Sequence, residues 1–462
     1  MKKIGVHCAV LGTLLACSQA QAVNWLMVQG TEVEGTAPRA KLWGFIQPQF
    51  ESKQDNKLAA GGFSGQDAAF NMVGPNLESS SQFQLRRARI GVRGTGFPLD
   101  NKVNYFILAE LGKNGITEYG AAVELTDASV TFNHIKGARV RVGEFKTPMS
   151  EEVYQGIALF DWINFTSYAN QQLLERFVAT DGQATCNTAN HPAGATNAAY
   201  ANICNSGNEW TGFGAARDIG IQVFDSFKVG SNKDWELSYS FMLGNGNGLN
   251  QGDNNKDKDY YLYLSAEQVY GGKRARRQGW KTYAWYTKGV RTILNSTDLS
   301  KGIETKQDFD RERWGLGTTY RKGKIRAAAE YNKAKGMIFN GTFGAATPGS
   351  VTNNGFVVSQ FTMLPDEEAD GWYLDVGYKV LPKLELAVRY DEYNRATKVD
   401  ANERNFTNWT FGTQYFFNKK TRVALNYQIP TGEASNLPAT ANANRILDKM
   451  GDVISLQVTA IF

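Results

Sequence analysis

Residues 451–462 read GDVISLQVTAIF. Ile454, Leu456, Val458, Ala460 and Phe462 fall on one parity; Val453, Ser455, Gln457, Thr459 and Ile461 fall on the other. Successive side chains of a strand point to opposite faces, so the stretch carries one uniformly apolar face and one mostly polar face. The apolar ridge runs to an aromatic last residue with no polar tail behind it. In water such a ridge needs a core to cover it; in a bilayer the lipid does so. The rest of the sequence decides between the two.

The same alternation recurs at about 41–51, 83–95, 102–111, 121–134, 137–145, 215–226, 233–244, 258–268, 279–290, 309–322, 323–332, 371–381, 382–393, 404–417, 420–430 and 450–462. Trp409, Phe411, Thr413, Tyr415 and Phe417 oppose Thr410, Gly412 and Gln414, and Trp235, Leu237, Tyr239, Phe241 and Leu243 oppose Glu236, Ser238 and Ser240. Most of these segments approach the ~9–11 residues that a tilted strand needs to cross a bilayer. The connections between them alternate in length. Short ones such as Ile135-Lys136-Gly137, Leu381-Pro382 and Asn418-Lys419-Lys420 take turns with long ones at roughly 52–82, 112–120, 146–214, 245–257, 291–308, 333–370, 394–403 and 431–449. A soluble sandwich has no reason to keep that parity. An outer-membrane barrel does, with short periplasmic turns, long outer loops and an even strand count. Backbone groups in hydrocarbon must pair within the protein, which only a closed barrel without edges allows to strands. The expected fold is therefore an all-β, sixteen-stranded antiparallel transmembrane barrel over 41–462, its last strand pairing with its first. Trp372, Trp409, Tyr378 and Tyr390 suit the aromatic girdles at the two interfaces.

The start of the chain agrees with export. Met1-Lys2-Lys3, a short apolar run from Ile4 to Ala16 and Ala20-Gln21-Ala22 form a signal peptide over 1–22, too short in its apolar part to span as a helix. Leu14-Leu15-Ala16-Cys17 offers an alternative, lipidation at Cys17, which adds little to a protein already integral to the membrane. Val23 is then the first mature residue, and 23–40 a short periplasmic lead-in. Without Lys2 and Lys3 the chain has 48 basic and 45 acidic residues, a net charge of +3 that gives no reason to expect a nucleic-acid partner. Cys186 and Cys204, the only mature cysteines, lie in one exported loop and are read as a disulfide. Two mature histidines, His134 and His191, are too few for a histidine metal cluster, and no cofactor is expected.

The face opposite the lipid ridge lines the lumen. It holds Arg87, Arg89 and Arg93 on the second strand and Arg139 and Arg141 on the fifth, with Arg313, Arg326, Arg389 and Arg422 on later strands. Three strand spacings, roughly 15 Å, separate the first two groups, so their guanidiniums could form one basic patch. A channel lined by one sign concentrates the counter-ion, and the planar guanidinium fork suits phosphate and carboxylate. The plainer reading makes them wall charges paired with lumenal Glu110, Asp127, Glu330, Asp375 and Glu385, since barrel interiors are polar. The connection at 146–214 is long enough to be functional. It opens with Lys146, Glu151 and Glu152, passes through an aromatic run from Phe160 to Tyr168 that includes Asp161, and reaches Glu175 and Arg176. Aromatics in a loop need a surface, and the inner wall is the nearest. Its four acids against a basic wall would set up a transverse field, as in a general diffusion pore. Asp253, Asn255, Asp257 and Asp259 imitate part of a calcium loop, but Lys258 and Leu264 stand where that loop requires Gly and Glu.

RRARIGVRGTGFPLDNKVNYFILAELG (86–112), ARVRVGEFKTPMSEE (138–152) followed by QLLERF (172–177), LELAVRYDEY (384–393), WTFGTQYFFNKKTRVALNYQI (409–429) and the terminal GDVISLQVTAIF together resemble the phosphate-selective porin O and P family. The resemblance covers nearly the whole mature chain in order. It implies a sixteen-stranded, trimeric outer-membrane porin with the third outer loop folded into the lumen and a channel lined by arginine and lysine. The leading expectation is a passive channel for small hydrophilic solutes, leaning to anions. Its rivals are a plugged receptor barrel with binding loops and an outer-membrane hydrolase, for which neither histidine is poised.

Overall fold

The computed structural model describes residues 24–32, 38–54, 56–61, 64–65, 67–69, 81–96, 100–112, 123–175, 216–271, 277–298, 303–341, 351–352 and 361–462. Within them sixteen strands form one closed antiparallel barrel. In chain order they are β1 (Lys41–Lys53), β2 (Ser81–Thr95), β3 (Val103–Glu110), β4 (Glu124–Phe132), β5 (Arg139–Lys146), β6 (Arg217–Val229), β7 (Trp235–Gly244) and β8 (Asp259–Gly271). There follow β9 (Gln278–Asp298), β10 (Ile303–Lys322), β11 (Ile325–Lys335), β12 (Glu368–Leu381), β13 (Leu384–Arg395), β14 (Arg404–Phe416), β15 (Thr421–Glu433) and β16 (Val453–Ile461). Each pairs with its neighbours in sequence, and β16 closes on β1. All sixteen segments of alternating polarity are barrel strands.

The seam explains the chain's last residues. The β1–β16 register runs from Phe45 opposite Ile461 to Lys53 opposite Val453. Beyond it Gly44 and Phe462 exchange backbone hydrogen bonds, 3.3 Å from the Gly44 amide and 3.0 Å back. A Cβ on Gly44 would strike the Phe462 ring and the Arg89 carbonyl, so glycine lets the strands close there. Ile454, Leu456, Val458 and Phe462 point outward, 39–53% exposed, while Ser455, Gln457 and Thr459 are buried inside. On the outer face Trp372, Tyr390 and Trp409 lie in a row across β12, β13 and β14, tilted against one another with ring centroids 5.2 and 4.9 Å apart.

Two departures from the alternation have local causes. Gln47 pairs with Arg87 but Pro48 with Leu85, so Arg86 is the extra residue of a bulge in β2. Pro48 has no N–H to give the ladder, and a bulge is where a strand tolerates it. Both Arg86 and Arg87 consequently turn inward, while Phe83 and Leu85 face out. Strands β9 and β10 run to 21 and 20 residues, well past the expected 279–290 and 309–322, and their pairing continues to Asp298 opposite Ile303. This outer extension lies beyond the lipid-driven alternation and carries no such pattern in its sequence.

The apolar core lies inside the barrel. Residues 147–175, the described part of the connection between β5 and β6, contain helix α1 (Glu151–Tyr154), a 3-10 turn at Ile157–Leu159 and a π turn at Ala169–Leu173. Val153, Phe160, Trp162, Phe165, Tyr168 and Leu173 pack there against Tyr263, Tyr283, Trp285, Tyr393 and Phe406 of the wall. The third outer loop therefore folds into the lumen over these residues.

Candidate functional site

The loop is fastened to the β9–β16 side of the wall. The Ile163 amide donates to Asn426 Oδ1 at 2.9 Å, Asn164 Nδ2 to Gln428 Oε1 at 2.9 Å and Ser455 Oγ at 3.1 Å, and the Ser167 amide to Asp391 at 3.1 Å. Its four acids each meet a wall cation. Glu151 pairs with Lys281, Asp161 with Arg321 at 2.7 Å and Glu175 with Arg311 at 2.6 Å, while Glu152 lies 3.6 Å from Arg389. Arg326 and Arg389 also cover the Trp162 ring, at 5.4 and 5.0 Å from its centroid. Arg326 binds Asp375 and, at 2.8 Å, Glu385; Arg422 donates to Gln414 at 2.6 Å and to the Phe160 carbonyl. Arg326, Arg389 and Arg422 thus engage the loop and its supporting acids.

The chemistry of Glu152 follows from its enclosure. Its oxygens accept from the Thr166 amide and hydroxyl, both at 2.7 Å. Burial pushes its carboxyl up to about 7 against the pull of Arg389. At Glu175 burial acts in the same sense, but Arg311, Arg291 and Arg313 together outweigh it and hold that carboxyl below its ordinary value. Lys146 donates to the carbonyls of Val153 at 2.9 Å, Tyr154 at 3.4 Å and Gln155 at 2.7 Å. A cation on the last carbonyls of a helix is favourable, so the lysine at the end of β5 caps α1 as the chain turns inward.

The opposite arc, β2 to β6, carries the other candidates. Arg87 donates to Gln47 at 3.0 Å and Arg89 to buried Glu110 at 2.7 Å. Arg139 binds Asp225, and Arg93 binds Glu32. Arg141 donates to Gln222 at 2.9 Å and stands over Phe224, 4.4 Å from its ring centroid. Arg217, which the sequence reading passed over, donates to Asp127 at 3.2 Å. Of the acids proposed as wall partners, Glu110, Asp127, Asp375 and Glu385 each hold an arginine, whereas Glu330 accepts from Trp285 and Ser150, both at 2.9 Å.

Two cavities flank the loop. The first, between the loop and the β2–β6 arc, is lined by Arg89, Arg93, Arg141, Lys146 and Arg217 with Asp127 as its only carboxylate among the described residues, and by Trp43, Phe45 and Phe106. The second, on the β8–β13 side, is lined by Arg277, Lys281, Arg321, Arg326 and Arg389 together with Glu151, Glu152, Asp161, Glu267 and Asp375. The first is lined mainly by cations, and the second by cations and carboxylates in equal number. Arg176, Cys186 and Cys204 lie outside the described residues. Arg86 escaped sequence reasoning because a bulge resets parity, and the signal that could have found it is Pro48 within a strand pattern. Arg395, another inward arginine not selected from sequence, is fully buried at 5.2 Å from the Phe406 ring centroid and opposite Arg404 in the register.

Solved structures share this architecture. In-vitro folded OmpT, an outer membrane protein of Vibrio cholerae in its trimer form, is 12% identical over 92% of this chain and 99% of that one, with a TM-score of 0.50. OmpF of Salmonella typhi in complex with daunomycin is 11% identical over 92% of this chain and 97% of that one, also at 0.50. An anion-selective porin from Comamonas acidovorans is 12% identical over 92% and 99%, at 0.47. At such identities the likeness is one of fold. No curated protein matches the chain. The sequence model of a family described as phosphate-selective porin O and P matches residues 59–458, nearly all of the barrel with its loops, and the chain belongs to that family.

Proposed function

We propose that this outer-membrane porin is a passive, water-filled channel in which small anions of the phosphate and carboxylate class travel along the β2–β6 arc. One observation carries the reading: among the described residues, five cations and a single carboxylate line the cavity on that side, against five of each on the other. Counting Glu110 against Arg89 and Glu32 against Arg93 still leaves the basic side in excess. A low-dielectric passage with that imbalance concentrates anions and repels cations. The loop acids are each paired directly to the wall, so they neutralise the β9–β13 cations and leave the opposite arc to set the sign.

The channel assembles as a homotrimer in lipid, a reading supported by the trimer form named for the Vibrio cholerae fold relative. It is delivered by a signal peptide cleaved before Val23, and Cys186 and Cys204 form one disulfide that closes the 146–214 connection on itself. No catalytic role is assigned to it: His134 lies exposed in the turn between β4 and β5, its Nε2 2.5 Å from Asp100, and His191 lies outside the described residues. The test is single-channel recording in chloride with phosphate added stepwise. Phosphate should lower the chloride current in a concentration-dependent way as it competes for the arginine arc. A chloride current indifferent to phosphate would remove the anion pathway from this account.

A further inference from the structure

A second segment enters the lumen from the end where the short turns lie. Residues 24–32 run along the inner faces of β2 to β7, beneath the third loop. Asn24 caps a 3-10 turn, Trp25–Met27, by accepting from the Leu26 amide at 3.2 Å. Its amide nitrogen is buried and donates to Glu236 at 2.8 Å and to Ser238. Leu26, 1% exposed, packs against Tyr154 of α1 and Phe224 of β6. Trp25 lies under the loop at Gly156, where an added Cβ would approach its ring to 3.1 Å, and it borders both cavities.

The remainder of the segment binds the arginine arc itself. Arg93 binds the Glu32 carboxylate and donates to the Val28 carbonyl at 2.8 Å, while Asn104 donates to Glu32 at 2.8 Å. Arg141 donates to the Gln29 carbonyl, and Gln29 Nε2 donates to Asp127 at 3.1 Å. Gly30 adopts a φ of 65° and sits so close to Thr131 that a Cβ would collide with its side chain. Both the backbone conformation and the approach require glycine there. A polar lead-in free in solution would need neither a buried leucine nor a fitted glycine.

We propose that residues 24–32 are an intramolecular plug and charge regulator of the channel. The segment narrows the passage on the side of the short turns, and Glu32 cancels part of the cationic field that Arg93 would otherwise present to a permeating anion. The inference rests on the channel reading above. It is tested in the full-length protein by planar-bilayer recording of wild type, Trp25→Ala and Glu32→Gln, each first checked for β-rich circular dichroism. Trp25→Ala should raise single-channel conductance on the order of twofold by clearing the space under the loop. Glu32→Gln, which keeps the side chain's shape, should move the reversal potential in a salt gradient further towards chloride. Steps in Trp25→Ala with a silent wild type would support a fuller plug. Both variants behaving as wild type would overturn the plug and leave the channel intact. Silence in all three would overturn the channel reading, and this inference with it. Should Trp25→Ala fail to fold, the isosteric Glu32→Gln decides alone.

Discussion

At the scale of single residues, the lumen is an ionic interior. Arg89 with Glu110, Arg217 with Asp127 and Arg311 with Glu175 are pairs in which each partner is at most 5% exposed. Removing one member of such a pair strands the other and costs about 3–5 kcal/mol, so these arginines hold shape as well as field. Glu152 gives a more selective handle. Detached from the wall it titrates near 4.5, and docked it titrates at about 7. Between those values the docked loop holds the extra proton, so docking weakens as pH rises through the window and levels off above it. Hydrogen-exchange protection of the Thr166 amide, corrected for intrinsic rate, should therefore fall from pH 5 to pH 7.5 in wild type and stay flat in Glu152→Gln. A flat wild-type profile would contradict the assignment. At this scale the sequence revealed which arginines share a face but not what each one touches. Arg93 is the clear case: its partner Glu32 lies 61 positions away in a segment with no strand pattern to place it.

At the scale of elements, solvent decides the pattern. The strands show apolar residues to lipid and mostly polar residues to the lumen, with Tyr283, Trp285 and Phe406 among the exceptions that meet the third loop, so alternation revealed all sixteen. The outer parts of β9 and β10 stayed hidden because no lipid acts on them there. The bulge at Arg86 stayed hidden because one extra residue inverts parity on one side of it. The third loop's docking was foreseeable from Phe160 to Tyr168, aromatics that water would not keep exposed, whereas its anchors Asn426, Gln428 and Ser455 look like ordinary lumenal polar residues. The lipid face of β16 is open to direct trial. Leu456→Arg places a charge in the middle of that strand's apolar ridge and should cost about 2–4 kcal/mol, read from the urea midpoint of folding into lipid vesicles. An unchanged midpoint would mean that this face does not meet hydrocarbon.

At the scale of the whole molecule, apolar side chains face both ways, outward to lipid from the wall and inward around the third loop. The wall satisfies its own backbone by closing, from Gly44 and Phe462 at one end of the seam to Lys53 and Val453 at the other. The apolar cluster around Trp162 and Tyr168 sits inside, where it pins the loop across the lumen. What remains for solutes is a divided interior, basic along β2 to β6 and balanced along β8 to β13. The closed sixteen-stranded architecture was legible in the sequence, because lipid and the alternation of turn lengths write themselves along the chain. The division was not, since it depends on which acids the loop carries to which cations. The most direct measurement is the reversal potential of the purified wild-type protein in a planar bilayer under a potassium chloride gradient. Discrete current steps that reverse on the chloride side of zero are the predicted result. Steps that reverse on the potassium side would contradict the account.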